Sequence, residues 1–339
     1  MSDRHALAEE FLQSTPWSAA RRDPLSGDAS NRSYQRLVDG TRHAVLMNAP
    51  PERGEDTRPF VHIATHLSAI GLSAPRILAQ DTTNGFLLLE DLGDDLFARV
   101  VAADPTKETP LYEAATDVLV HLHRADLLPG LVPYSPQVMV DMAALAYDWY
   151  LAGATGRDAD AKATFTAAFR PLLEQHAADQ SVLIQRDYHA ENLLWLPGRD
   201  GVARVGLLDF QDAMAGHPAY DLVSLLQDAR RDVSPATEQH MIAHFIRQTG
   251  HDEPAFRAAY SLLGAQRNLR ILGVFARLCI RDGKPGYIDL IPRVWALLMR
   301  DLEHPALAPV AGLIAAALPA PSTEILQRLK SQCVTRQLP

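Results

Sequence analysis

Apolar residues recur along this chain with two different periods, and the alternation between them predicts the element order. Leu7, Phe11 and Leu12 fall at helical spacing, so residues 5 to 14 are expected to form a short docking helix. After the small, turn-forming cluster Leu25 to Arg32, the runs Tyr34–Val38 and Ala44–Met47 flank Asp39-Gly40, which predicts a β-hairpin. Thr57 to Ile70 reads as a helix and Gly85 to Leu89 as a strand. From Leu111 to Arg124 an apolar stripe of Leu111, Ala115, Val118, Leu119 and Leu122 predicts a further helix. Met139–Leu151 and Ala161–His176 are Ala-rich and helical in pattern. Three short apolar runs then follow: Val182–Ile184, Leu193–Leu196 and Val202–Leu208. The last two enclose Pro197-Gly198-Arg199-Asp200-Gly201, a dense turn signal, and are expected to pair as a hairpin. A helix is predicted from Tyr220 to about Arg230, and another over Gln266–Arg281.

Composition narrows the class. The 339 residues are 47% hydrophobic and 22% charged, enough for a sizeable core in one large or two moderate domains. The net charge of −9 argues against a general nucleic-acid partner. Cys279 and Cys333 have no metal-ligand spacing and make no disulfide scaffold, which suits a reducing compartment. Met1 to Glu10 has neither the basic start nor the apolar core of a signal peptide, and the apolar tract Ala311–Leu318 is too short to span a bilayer. A cytoplasmic protein without a membrane partner is expected, acting as a monomer.

The chemistry concentrates between Ser181 and Asp221. In a hairpin, positions equidistant from the turn face each other, and the midpoint of Asn192 and Asp209 falls between Asp200 and Gly201. Asn192 and Asp209 are therefore expected to meet at the hairpin's open end, with Asp187 in the loop leading in. Two oxygen ligands beside a carboxylate suit Mg²⁺, which takes one or two protein oxygens and completes its shell with phosphates and water. This is the donor set of phosphoryl transfer: one Asp accepts the acceptor hydroxyl's proton, while an Asn and a second Asp hold the metal on the nucleotide.

Gln185-Arg186-Asp187-x-x-x-x-Asn192 and Asp209-Phe210-Gln211 resemble the catalytic and metal-binding loops of the protein-kinase-like fold. Arg186-Asp187-Tyr188-His189-Ala190-Glu191-Asn192 and His217-Pro218-Ala219-Tyr220-Asp221 are similar to the aminoglycoside phosphotransferase branch of that fold. Gly27–Arg36, Met47-Asn48-Ala49-Pro50-Pro51, Glu90–Asp94 and Gln266–Leu278 together resemble the bacterial anomeric N-acetylmuramate/N-acetylglucosamine kinases of cell-wall recycling, over about Phe11 to Arg300.

The resemblance implies an α+β, bilobal protein-kinase-like fold: a small antiparallel-sheet N-lobe over residues 1–92 and a larger, mostly helical C-lobe over 93–339. It implies ATP and Mg²⁺ as cofactors and a small-molecule amino-sugar substrate, phosphorylated at its anomeric C1 hydroxyl. Asp187 would be the base, and Asn192 and Asp209 the metal ligands. Ser26, Gly27, Asp28, Ala29, Ser30, Asn31 and Arg32 lie where related folds place a phosphate-covering loop. Read alone, that cluster is equally a plain tight turn before a strand. Backbone groups near Glu90 and Leu92 would meet the adenine edge, or else form an ordinary strand-to-helix connection. His189, Glu191 and Gln211 would touch sugar hydroxyls or brace the loop. On a helix Arg267, Arg270, Val274, Arg277 and Arg281 share a face, either a solvated stripe or a site for an anionic acceptor, with Arg267 and Arg270 its leading members. Asp221, in a first helical turn, is expected to brace the catalytic loop.

Two departures matter. Kinase-like enzymes commonly carry a strand Lys for the phosphates, paired with a helix Glu. His43–Asn48 has no Lys, and Thr57–Ile70 has no acid. The phosphate charge is then expected to fall to Arg32 or another arginine, with a non-catalytic nucleotide-binding pseudokinase as the alternative. Asn48 stands where the resemblance would put Asp, and Gln185 where it would put His. An aminoglycoside, choline or homoserine acceptor is the other alternative.

Overall fold

The computed structural model describes residues 4–25 and 31–334, and within it the chain forms two compact units. One comprises Met1–Ala125 with Ala190–Ala213, the other Asp126–His189 with Met214–Pro339.

The first unit begins with α1 (Arg4–Gln13), followed by β1 (Arg21–Leu25), β2 (Ser33–Asp39) and β3 (Arg42–Asn48). Helix α2 (Arg58–Ala69) leads to β4 (Ile77–Asp81) and β5 (Phe86–Glu90), then to α3 (Phe97–Ala103) and α4 (Glu108–Arg124). The five strands form one antiparallel sheet in the order β1-β2-β3-β5-β4. Period-2 alternation sends Leu37, Ala44, Leu46, Phe86 and Leu88 to one face, where Ala8, Phe11, Leu12 and Trp17 cover them. That is the docking role expected of the first helix. In the β2–β3 turn Asp39 pairs with Arg42, so the loop residues are Gly40-Thr41 rather than Asp39-Gly40. Gly40 supplies the positive φ of +61° at the first loop position, which moves the turn by one residue.

The chain then enters the second unit with α5 (Pro136–Ala143), a π-helical turn over Ala146–Leu151, the single turn α6 (Ala152–Ala154), α7 (Ala159–His176) and β6 (Val182–Ile184). It returns to the first unit for β7 (Leu193–Trp195) and β8 (Val205–Leu207). The rest belongs to the second unit: β9 (Met214–Gly216), α8 (Ala219–Leu226), α9 (Pro235–Thr249), α10 (Glu253–Ile280), α11 (Ile291–Asp301), α12 (Ala308–Ala317) and α13 (Thr323–Ser331). Helix α10, with 28 residues, packs against α5, α8 and α11 and forms the centre of this unit.

Several elements differ from the sequence expectation. The apolar run Val202–Leu208 is only half strand, because Gly201–Arg204 coil into a 3₁₀ turn before β8. Strand β9, antiparallel to β6, has no counterpart in the apolar pattern: Met-Ala-Gly is too short and too small to show a period. Helix α8 stops at Leu226 instead of about Arg230. Gln227 is pulled out of the helix, its side chain donating to Asp301 Oδ1 at 2.8 Å and its carbonyl accepting from Arg267 at 3.1 Å. The α+β protein-kinase-like class itself is the one observed. Among the described residues no helix is long and apolar enough to cross a membrane.

Candidate active site

In the first unit, β7 and β8 pair antiparallel with Leu193 opposite Leu207 and Trp195 opposite Val205. This register puts Asn192 opposite Leu208, whose N–H donates to the Asn192 carbonyl at 3.0 Å. Asp209 is thus one residue beyond the position that simple symmetry about the turn assigns. Its φ of +57° is unusual for a residue with a side chain, and it bends the chain back at the hairpin mouth. The Asn192 amide nitrogen lies 3.4 Å from Asp209 Oδ2, and Gln211 Nε2 donates to Asp209 Oδ1 at 2.6 Å. The hairpin therefore brings Asn192, Asp209 and Gln211 together. Phe210 is fully buried, with its ring 4.9 Å from that of Phe60 on α2. Glu191 is exposed beside them.

The connection after β5 is held from β2. Arg36 bridges Asp91 at 2.6 Å and Asp94 at 2.8 Å. The Glu90 N–H donates to the Arg76 carbonyl, and its carboxylate accepts from Arg76 and from Arg199. Leu92 packs over Gly206 of β8, where a Cβ would come within 3.1 Å of its methyl. The Arg32 Nε donates to Glu55 at 2.7 Å, and the Asn31 N–H donates to the other Glu55 oxygen at 3.1 Å. Ser26, Gly27, Asp28, Ala29 and Ser30 lie outside the described residues.

In the second unit, Asp187 follows β6, and the loop before it is fixed at both backbone groups of Arg186. Asp221 Oδ2 accepts the Gln185 N–H at 2.6 Å, and Oδ1 accepts the Arg186 N–H at 2.9 Å. Ser224 Oγ donates to the Arg186 carbonyl at 3.2 Å. Arg186 has a φ of +73°, and these three bonds hold it there. Asp221 is fully buried, and that burial pushes its carboxyl up to about 7, against the pull of the two N–H donors. Gln185, at the usual His position, is buried too.

Around Asp187 the second unit gathers charge. Arg267 is buried on α10, and burial lowers its guanidinium's hold on its proton while Tyr220 and Asp187 oppose the loss. For Arg270, burial is outweighed by Tyr220, Tyr134 and Asp187, and its Nη1 donates to the Tyr220 hydroxyl at 3.3 Å. Arg267 is therefore inside the fold rather than on a solvated stripe. Arg230, which carries no motif signal, reaches His189 Nε2 at 3.3 Å. Burial pushes the His189 imidazole down to about 4, so it is neutral near pH 7.

Sequence reasoning missed Arg230, Ser224, His217 and Glu55. Three of these act through a bond to a neighbouring loop, which no spacing rule reveals. His217 had a local signal: it stands two residues before Ala219, whose N–H donates to His217 Nδ1 at 3.0 Å at the start of α8. Burial pushes this imidazole down to about 4 as well. Its folded value lies below the unfolded value of about 6.5. As pH falls from about 6.5 towards 4, the unfolded chain takes up the proton first, and stability is lost. The melting temperature is expected to drop between pH 7 and pH 5, with a shallower slope in His217→Asn. An unchanged slope in that variant, followed by thermal denaturation monitored by circular dichroism, would refute the assignment.

Among the described residues no group of three or more His, Cys, Asp or Glu side chains forms a self-sufficient metal cage. One carboxylate and one amide suit a cation that completes its shell on phosphate and water. A five-stranded antiparallel sheet, a helical unit, and an Asn–Asp pair at a hairpin mouth define a phosphotransferase of the protein-kinase-like class. The profile of the phosphotransferase enzyme family matches residues 22–260, and the chain belongs to that family. It is 42% identical to an N-acetylmuramate/N-acetylglucosamine kinase of Caulobacter vibrioides, with 91% of this chain and 94% of the relative covered. It is 37% identical to a protein of the same description from Pseudomonas aeruginosa, covering 86% and 87%. Among solved structures it is similar to a choline/ethanolamine kinase family protein from Mesorhizobium loti, at a TM-score of 0.62 and 16% identity over 93% of this chain and 100% of that one. A choline kinase from Streptococcus pneumoniae has a TM-score of 0.59 at 14% identity, covering 87% and 99%. At these identities the structural likeness speaks to fold alone.

Proposed function

We propose that this protein is an ATP-dependent kinase that phosphorylates the anomeric C1 hydroxyl of N-acetylmuramate and N-acetylglucosamine. The product is a sugar α-1-phosphate for peptidoglycan recycling. The meeting of Asn192 with Asp209 across the β7–β8 hairpin carries the reaction class. The relatives' shared description, at up to 42% identity over nearly the whole chain, supports the substrate. The protein acts as a cytoplasmic monomer, with functional lobes dividing near Leu92, and needs neither nucleic acid nor membrane.

Asn192 and Asp209 would hold Mg²⁺ through their side-chain oxygens. When bound, the metal neutralises charge on the nucleotide's phosphate oxygens. Of the predicted phosphate loop, Asn31 and Arg32 are assigned to the nucleotide's phosphates. Because the Glu90 N–H is committed to Arg76, the adenine edge falls to the Glu90 carbonyl and the Leu92 N–H. Asp187, five residues before Asn192 along the chain, orients the C1 hydroxyl and takes its proton. As that oxygen bonds to the γ-phosphorus, the bridging P–O bond breaks and ADP carries the electron pair away. Positioning and charge neutralisation supply most of the catalysis. Asp221 positions the Asp187 loop. His189, Glu191 and Gln211 contact sugar hydroxyls, and Arg267 and Arg270 give the acceptor side a cationic backing.

A radiolabelled ATP assay against N-acetylmuramate, N-acetylglucosamine, kanamycin and choline tests the assignment. Transfer to the two amino sugars is expected, and preference for a cationic acceptor would overturn it. Arg230, beside His189, is assigned to the lactyl carboxylate that only N-acetylmuramate carries. Arg230→Gln is expected to raise KM for N-acetylmuramate by about 10-fold, the worth of one charge-assisted bond. KM for N-acetylglucosamine should stay within about twofold in the same steady-state assay. Equal changes for both sugars would remove Arg230 from acceptor selection.

A further inference from the structure

Strand β3 offers no lysine and α2 no acid, yet the first unit contains an ion pair built in another place. Arg32 and Glu55 are each only 13% exposed and meet at 2.7 Å. Glu55 uses both oxygens: one on Arg32, the other on the Asn31 N–H. The Asn31 amide in turn donates to the Arg53 carbonyl at 3.2 Å, so two successive residues are clamped to the segment Arg53–Glu55. That segment is itself fixed, since the Gly54 and Glu55 N–H groups donate to Pro51 and Pro50 at 2.9 and 3.3 Å. Helix α2 begins three residues after Glu55. Phe60, near its start, packs its ring against that of Phe210, the residue next to Asp209.

We propose that Glu55 is a positioning residue for the nucleotide's phosphates. It holds Arg32 as the fixed cation that β3 lacks and ties it, through α2 and the Phe60–Phe210 contact, to the segment that carries Asp209. The inference rests on the phosphotransferase reading above and deepens it. A carboxylate beside a guanidinium takes up part of its charge but removes the wandering of a long side chain. For a planar donor that must meet phosphate oxygens in one geometry, direction counts for more than bare charge. The covalent continuity from Glu55 into α2 gives Arg32 and Asp209 a common frame.

The test uses the full chain with Glu55→Gln, Glu55→Asp, Arg32→Gln and the double variant Arg32→Gln/Glu55→Gln. Glu55→Gln is expected to lower kcat/KM for ATP by about 10- to 100-fold, the range of a lost charge-assisted bond, with KM for the sugar within about twofold. Competitive displacement of a fluorescent nucleotide should show weaker ADP binding and unchanged adenosine binding, because only ADP has phosphates. Glu55→Asp should recover part of the loss, and the double variant should be no worse than Arg32→Gln, since one residue acts through the other. Equal weakening of ADP and adenosine would reduce Glu55 to a structural brace and overturn the proposal, as would wild-type kinetics in Glu55→Gln. The displacement assay needs no turnover. A wild-type protein inactive on every sugar would sink the sugar-kinase reading while the ADP-against-adenosine comparison still decided Glu55.

Discussion

Asp187→Asn is expected to cut turnover by about 10²- to 10⁴-fold, the usual worth of a general base, while ADP affinity stays within about twofold. The substitution keeps the shape of the side chain, turns one acceptor oxygen into an NH₂ donor and removes its ability to accept a proton. The backbone that aims it is left alone. Arg186, immediately before it, has a φ of +73° and is held by Asp221 on its N–H side and Ser224 on its carbonyl side. Strain of this kind persists only where the surroundings over-determine it, and it fixes the direction in which the next side chain leaves the loop. Single-turnover kinetics beside calorimetric ADP binding make the check. Wild-type turnover in Asp187→Asn would remove it from the chemistry, and lost ADP binding would assign it to the nucleotide instead.

Asp209→Asn is expected to lower turnover by on the order of 10³-fold and to move half-maximal activation to higher Mg²⁺. Asp209 is the only carboxylate in the trio with Asn192 and Gln211. Replacing it leaves three amides, which cannot balance a divalent charge. Asn adopts the left-handed backbone conformation that Asp209 has as readily as Asp does, so the exchange should leave the loop's path unchanged. Initial rates across a Mg²⁺ series at fixed ATP separate lost metal affinity from lost folding. A variant with the wild-type Mg²⁺ dependence would exclude Asp209 as a ligand.

The register of the β7–β8 hairpin shows how far a local pattern carries. The turn residues Pro197–Gly201 and the apolar runs around them were enough to predict that Asn192 and Asp209 converge. They do converge, but Gly201–Arg204 coil into a 3₁₀ turn and the register slips by one, so Asp209 reaches back through a left-handed backbone rather than by direct pairing. A spacing rule assumes extended strands and cannot register such a coil. The arginines of α10 show the complementary case. Three-and-four spacing puts Arg267 and Arg270 on one face, and it is blind to whether that face meets water or protein. Only the packing of α10 at the centre of its unit buries Arg267 and brings Tyr220 to Arg270.

What the sequence determined by itself was local: which runs become strands and helices, and which oxygen-bearing side chains stand at the ends of a hairpin. These follow from periodicity and turn chemistry, acting over a few residues; the class of fold and reaction came from the family resemblance of the motifs that those residues form. Only the tertiary structure decided that Glu55 holds Arg32, that Ser224 and Asp221 pin Arg186 from both sides, and that Arg230 stands beside His189. Those pairs join residues 23 to 41 positions apart in the chain. Their partnership depends on how far loops fold back, a balance of chain entropy and packing that composition and spacing do not encode.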